Sequence, residues 1–194
     1  MLKRARPASD LDAATRVVCD GCSVLLRERL ESDRDACVEM ARAVHERDRY
    51  PMYLPSDLAS FIFTPGALGA WVAEEDGEVA GHVALHSRSS PAVLALAQEA
   101  TGLSRERLCV VARLLVSPRH RRRGIGRALL EAASDAALAR RLRPVLDVVR
   151  DHEAAVAFYE RSGWVRAGEV TVRWGDHPEV QELVYLGPEL ALAP

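Results

Sequence analysis

The chain has 194 residues, with 26 Lys and Arg against 28 Asp and Glu for a net charge of −2, and 48% of its residues are hydrophobic. This is ordinary globular composition, which argues against wholesale disorder and a small disulfide scaffold, and the length suits one domain with a short appendage. Near neutrality supplies no global drive toward nucleic acid or an anionic membrane, so a charged partner must be recognised locally.

No apolar run approaches the roughly 20 residues that cross a bilayer. The basic start is followed by Pro7, Ser9, Asp10 and Asp12 and not by an apolar signal core. The cytoplasm is the expected location, without a membrane partner. Cys19, Cys22, Cys37 and Cys109 are too scattered for a secreted framework and fit a reducing compartment.

Residues 1–22 are polar and mixed in charge and read as an extension, partly helical over Leu11 to Val18, ahead of a domain spanning residues 23–190. Ser23 to Arg27 reads as a strand, and Asp33 as the N-cap of a helix running to Arg47 with Cys37, Met40, Ala41 and Val44 at helical spacing. Tyr50 to Pro55 breaks that helix. A short helix over Asp57 to Phe63 precedes strands Ala70 to Glu74 and Val79 to His86, joined by Asp76-Gly77, a strong hairpin signal.

A short helix over Ala92 to Ala100 is followed by the most strand-like run, Leu108 to Val116, whose near-continuous apolar character predicts a central strand covered on both faces. Ser117-Pro118 ends it, and a helix runs from Gly126 to Arg141 before Pro144. Pro144 to Val149 is a strand, His152 to Ser162 a helix capped by Gly163, and Trp164 to Arg173 with Val180 to Gly187 a closing pair of strands. Strands and helices so mixed predict an α/β fold, one sheet between helices.

The informative stretch is Val116-Ser-Pro-Arg-His-Arg-Arg-Arg-Gly-Ile-Gly-Arg-Ala-Leu-Leu130. It sets Gly124 and Gly126 between an apolar strand and an Ala/Leu-rich helix, where glycine permits close backbone approach and the first N–H groups of the helix make an anion site. A phosphate-bearing ligand is the natural occupant. A dinucleotide fingerprint would need a third small residue where Leu129 stands, and there is no Gly-Lys-Ser/Thr for a nucleoside triphosphate loop.

Arg121-x-x-Gly124-x-Gly126, with the lead-in Leu114, Val116 and Pro118, resembles the pyrophosphate loop of the GNAT superfamily of acyl-CoA N-acyltransferases. Leu146-Asp-Val-Val-Arg-Asp-His-Glu-Ala-Ala-Val-Ala-Phe-Tyr-Glu-Arg-Ser-Gly-Trp164 looks like the second block of the same family, in the right order and spacing. The resemblance is tight over Leu108 to Gly168, extends from Val24 to Leu186 as element order, and leaves residues 1–22 outside. It implies a mixed, mostly antiparallel sheet flanked by helices, with splayed central strands, and direct transfer of an acetyl group from acetyl-CoA to a primary amine on a small molecule or a peptide N-terminus. No metal and no nucleic acid enter that chemistry, and a homodimer is compatible with it.

By the same resemblance, the backbone of Leu114, Leu115 and Val116 pairs with the pantetheine arm, and one N–H near Leu115 or Val116 polarises the thioester. The N–H groups of Arg122, Arg123, Gly124, Ile125, Gly126 and Arg127, with Arg121, hold the pyrophosphate. Tyr159 matches the general acid that protonates the departing thiolate, a role open to a phenol with an ordinary pKa near 10; packing beside Ala155 and Val156 is its plainer role. His152 stands where relatives carry an asparagine that touches the pantetheine arm, and it either donates a hydrogen bond there or merely opens a helix. Asp147 matches a carboxylate of some N-terminal acetyltransferases and is the candidate base, or else a buried partner for an arginine. Arg113 replaces an acid common in relatives. Tyr50, Met52 and Tyr53 would line the acceptor mouth or pack a proline-bounded loop.

Three alternatives stand beside these roles. An idle acyl-CoA-binding module would keep the loop and lose the chemistry, and a nucleic-acid patch or solvated turn would explain the arginines alone. His82 and His86 share a strand face and Cys19-x-x-Cys22 forms a pair, but metal sites need further converging ligands, so both read as packing or surface features.

Overall fold

The computed structural model describes residues 15–19 and 22–189. Along the chain lie β1 (Thr15–Cys19), β2 (Cys22–Glu28), α1 (Arg34–Asp48), α2 (Leu58–Ile62), β3 (Gly69–Glu75), β4 (Glu78–His86) and α3 (Pro91–Thr101). Next come β5 (Leu108–Val116), α4 (Ile125–Ala139), β6 (Arg143–Val149), α5 (Glu153–Arg161), β7 (Val165–Val172) and β8 (Val180–Leu186). The sheet has eight strands in the order β1-β2-β3-β4-β5-β6-β8-β7. Its described ladders are antiparallel apart from β5 with β6, giving the mixed α/β fold that the sequence predicts.

The chain forms two compact units. The first comprises the described residues of Met1–Leu85 with Arg113–Ala136. Here Thr15–Cys19 pairs with β2, Val17 opposite Val24, where the sequence predicts helix over Leu11 to Val18; the β-branched Thr15 and Val17 suit a half-buried strand, and Leu11 to Ala14 lie outside the described residues. Asp76 and Gly77 both adopt positive φ, 52° and 82°, as a tight two-residue hairpin turn requires. Asp33 precedes α1 as expected but makes no side-chain cap. Its carboxylate instead accepts the Leu30 N–H at 2.7 Å and a two-pronged pair from Arg27, both at 2.8 Å, which holds it below the usual carboxylate range. Asp57 does cap α2, accepting the Ser60 N–H at 2.9 Å.

The core of this unit gathers Cys37, Met40, Ala41 and Val44 of α1, Leu58 and Ile62 of α2, Val72 and Leu115. Gly81 of β4 sets the approach of α4: a Cβ there would lie 2.7 Å from Leu129 and 3.0 Å from Ile125, so only glycine lets the start of that helix press against the strand.

The second unit comprises His86–Ala112 with the described residues of Ala137–Pro194. Ser90 caps α3 by accepting the Val93 N–H at 3.2 Å, Pro91 opens the helix, and Gly102 closes it in the left-handed conformation. Leu94 and Ala97 of α3 pack with Leu108, Val110, Val145 and Leu186. β6 pairs in parallel with β5 over Leu108–Val110 and Arg143–Val145, then continues antiparallel to β8 as far as Val149 opposite Glu182. β5 is covered on both faces over its first four residues only. Ala112, Arg113 and Leu114 are all half-buried, which corrects the expectation of uniform cover and breaks the two-residue alternation of a regular strand.

Candidate functional site

The break in β5 has a backbone origin. Arg113 sits at φ 55°, a left-handed conformation that costs a residue bearing a Cβ about 1–2 kcal/mol. Its carbonyl meets Nδ1 of the fully buried His82 at 2.9 Å, and its Nε donates to the Phe61 carbonyl at 3.0 Å. Beyond it Leu115 is buried, Leu114 and Val116 are half-buried, and the Ser117 N–H donates to the Ala80 carbonyl at 2.9 Å.

The segment after β5 curls in two steps. A 3-10 turn over Pro118–His120 is followed by left-handed residues at Arg122 (φ 59°) and Gly124 (φ 78°). The first helical bond of α4 runs from the Ala128 N–H to the Gly124 carbonyl at 3.0 Å, so the N–H groups of Ile125, Gly126 and Arg127 stand at the helix end, where backbone donors and helix dipole favour an anion. Gly126 is the second helical residue of α4 and carries no positive φ, so its contribution is the absence of a side chain. The dihedral freedom is used at Gly124.

The arginine side chains of this loop divide by partner. Both terminal nitrogens of Arg121 donate to the Asp48 carboxylate at the end of α1. Arg123 donates to Glu75 at 3.0 Å, and His120 stands 3.8 Å from the same carboxylate oxygen, on a residue buried at 4% exposure. Arg127 faces Glu131 one turn along α4 at 3.5 Å. Arg119 and Arg122 enter none of the described ion pairs, and Arg122 is exposed. The loop therefore presents main-chain donors and two further cations while the inward ones are neutralised, unlike an open nucleic-acid patch. Asp48 and Glu75, the acids that do this, carry no local sequence signal.

In the second unit Tyr159 is half-buried on α5, its ring centroid 5.3 Å from that of Phe158, 6.4 Å from Trp164 and 6.2 Å from Tyr185. It thus joins an aromatic cluster. Tyr185 is fully buried and its hydroxyl donates to Glu160 at 3.0 Å; burial, then that bond, raises its pKa. His152 precedes α5, its carbonyl accepting the Ala155 and Val156 N–H groups, and its side chain makes no cap.

Asp147 accepts the Ser89 hydroxyl at 3.0 Å and pairs across the ladder with Val184. Glu182, opposite Val149, falls on the same face of the β6–β8 ladder as Asp147, in the diagonal position. Glu182 is 3% exposed, and burial together with the Asp147 charge pushes it up to about 8, so it holds a proton at neutral pH. Sequence reading names Asp147 and misses Glu182, because nothing short of the β6–β8 register joins them.

Elsewhere, Tyr50 packs against the core of the first unit, and Met52 and Tyr53 are half-buried. His82 and His86 are both buried. Among the described residues no three His, Cys, Asp or Glu side chains group as a metal site. Cys19 and Cys22 end and begin β1 and β2. Burial pushes the Cys37 and Cys109 thiols up to about 12, which leaves both unreactive at neutral pH. No helix among the described residues is long and apolar enough to cross a membrane.

Comparison with known proteins supplies the family and the fold. A family model described as the acetyltransferase (GNAT) family matches residues 30–164. No curated protein is similar enough in sequence to count as a match. Among solved structures, an N-acetyltransferase from Staphylococcus aureus Mu50 superposes with a TM-score of 0.63 at 20% identity, over 84% of this chain and 96% of the other. The ribosomal-protein-S18-alanine N-acetyltransferase of Escherichia coli gives 0.61 at 19% identity, over 88% and 96%. The yncA protein of Salmonella typhimurium, solved with its cofactor acetyl-CoA, gives 0.60 at 18% identity, over 87% and 96%. At these identities the structures speak for the fold, and the family match decides membership: the chain belongs to the GNAT acetyltransferase family.

Proposed function

We propose that this protein is an N-acetyltransferase that moves the acetyl group of acetyl-CoA to a primary amine by direct attack, with both substrates bound together. The observation that carries the reading is the backbone of the segment after β5: left-handed residues at Arg122 and Gly124 feeding the N-terminus of α4, with three helix-end N–H groups at Ile125, Gly126 and Arg127. These residues fit a pyrophosphate, and Arg119 and Arg122 are the cations suited to a further phosphate. The anchored side chains of Arg121 and Arg123 shape the loop from behind.

Acetyl-CoA, when bound, supplies an activated acyl thioester. The remaining roles belong to the chain. Main-chain groups of Leu114, Leu115 and Val116 hold the pantetheine arm and supply the N–H that polarises the acyl oxygen. Tyr159 gives a proton to the departing sulfur. Asp147 takes the amine proton, through water where the acceptor stands off, and His152 donates a hydrogen bond to the arm. The thiols of Cys37 and Cys109, buried and held protonated, favour direct transfer over an acyl-enzyme on either.

The acceptor class is open between a small amine and a peptide N-terminus, and a cytoplasmic location suits a protein with free buried thiols. A thiol-release assay with acetyl-CoA against a panel of amines and N-terminal peptides tests the reading. Release dependent on one acceptor class is the expected result. Binding of acetyl-CoA with no release on any acceptor would favour an idle binding module.

A further inference from the structure

We propose that His82 is a positioning residue for the thioester-binding stretch: its ring holds the Arg113 carbonyl and so keeps β5 in the irregular register that presents Leu114–Val116 to the ligand. The inference rests on the acyltransferase reading, because it assigns that stretch to the pantetheine arm.

The contacts determine what the ring does. A carbonyl only accepts, so Nδ1 of His82, 2.9 Å from the Arg113 oxygen, carries the proton and donates. Nε2 then faces the Arg29 guanidinium at 3.1 Å, and a guanidinium only donates, so Nε2 accepts. These partners assign the neutral Nδ1–H tautomer. Arg29 is itself fixed, its NH1 donating to the Ile62 carbonyl at 2.8 Å and its guanidinium stacked 3.7 Å from the Phe63 ring centre. Arg113 is held at both ends, by His82 on its carbonyl and by Phe61, whose carbonyl takes its Nε and whose ring lies 3.7 Å beneath its guanidinium. Two arginines and one histidine thus tie the left-handed residue of β5 to the end of α2.

A left-handed residue within a strand behaves as a bulge does: it leaves a backbone group outside the ladder and re-aims the residues beyond it. Here the carbonyl of that residue is met by a side chain, His82. If Arg113 relaxed to an extended conformation, the register beyond it would slip by one residue, and each side chain of Leu114–Val116 would exchange faces. Leu115 would leave the core, and the main chain would re-pair as ordinary sheet. The buried imidazole resists that slip, from a neighbouring strand and without touching the ligand.

The test is a pair of variants with two probes. The amide nitrogen of Asn lies near where Nδ1 of His stands, and that of Gln near Nε2, so His82→Asn keeps the donor to Arg113 and His82→Gln loses it. Calorimetric titration should find acetyl-CoA affinity within about threefold of wild type for His82→Asn and about tenfold weaker for His82→Gln. Adenosine 3′,5′-bisphosphate, which reaches only the loop, should bind both variants as it binds the wild type. Adding Arg113→Gly to His82→Gln should recover most of the lost affinity, because glycine takes φ 55° without strain. Equal losses in the two variants, loss of both probes together, or no recovery in the double variant would each overturn the inference. A wild-type chain that binds adenosine 3′,5′-bisphosphate but not acetyl-CoA would instead bring down the acyltransferase reading beneath it.

Discussion

The loop from Ser117 to Arg127 and the corner where β6 meets β8 solve opposite charge problems. The loop is dense in cations, and acids from distant elements, Asp48 and Glu75, draw two of its arginines inward. What remains is the exposed Arg119 and Arg122 and, at the start of α4, backbone N–H groups that tolerate side-chain change but depend on a dihedral at Gly124. The β6–β8 corner concentrates two carboxylates on one ladder face, and the buried one is protonated at neutral pH. In the proposed reaction, binding by backbone and proton transfer by side chain fall to these separate regions, and substitutions in the two should have different signatures.

The largest effect is expected at α5. Tyr159→Phe should lower turnover by about a hundredfold, the lower end of what a general acid contributes, with acetyl-CoA affinity unchanged; rates under saturating acetyl-CoA and a parallel titration check both halves. Asp147→Asn should lower turnover by roughly thirtyfold and remove the lower-pH limb of the rate profile, whereas an unaltered profile would leave Asp147 a structural residue. At the loop the pattern should invert. Gly124→Val places a β-branched residue at φ 78°, a strain of at least about 1–2 kcal/mol, and should weaken acetyl-CoA by about tenfold to thirtyfold with turnover at saturation nearly intact. A Gly124 variant that lost turnover and kept affinity would erase the contrast between the two regions.

The smallest effect concerns stability and pH. Glu182 rises from an ordinary 4.5 to about 8 in the fold, so the folded protein binds more protons than the unfolded chain between those values. The contribution of this group is complete below about 4.5 and is lost as pH climbs through about 8. Thermal melts at pH 5 and pH 9 should therefore show a larger fall in Tm for the wild type than for Glu182→Gln. An identical fall in both would mean that Glu182 is not held protonated by the fold.

Much of this was legible in the sequence because its signals are local. Asp76-Gly77 announces its turn, Asp57 to Phe63 its short helix, and Gly124 with Gly126 the turn that leads into α4. What escaped depends on register or on partners far along the chain. Glu182 meets Asp147 only through the β6–β8 ladder, and Asp33 forgoes capping because Arg27 and the Leu30 N–H claim its carboxylate first. β1 was hidden because residues 15–19 become a strand by pairing with β2, where their own pattern is ambiguous. The left-handed Arg113 was the least visible, since no propensity predicts an arginine there and a buried histidine on another strand stabilises it.

Isothermal titration of the purified protein with acetyl-CoA decides whether the segment between β5 and α4 is an acyl-CoA phosphate cradle. A cradle there should give saturable binding at one site per chain, weakened by Gly124→Val in a protein whose melting is otherwise cooperative. Absence of binding by a folded wild-type chain would contradict it.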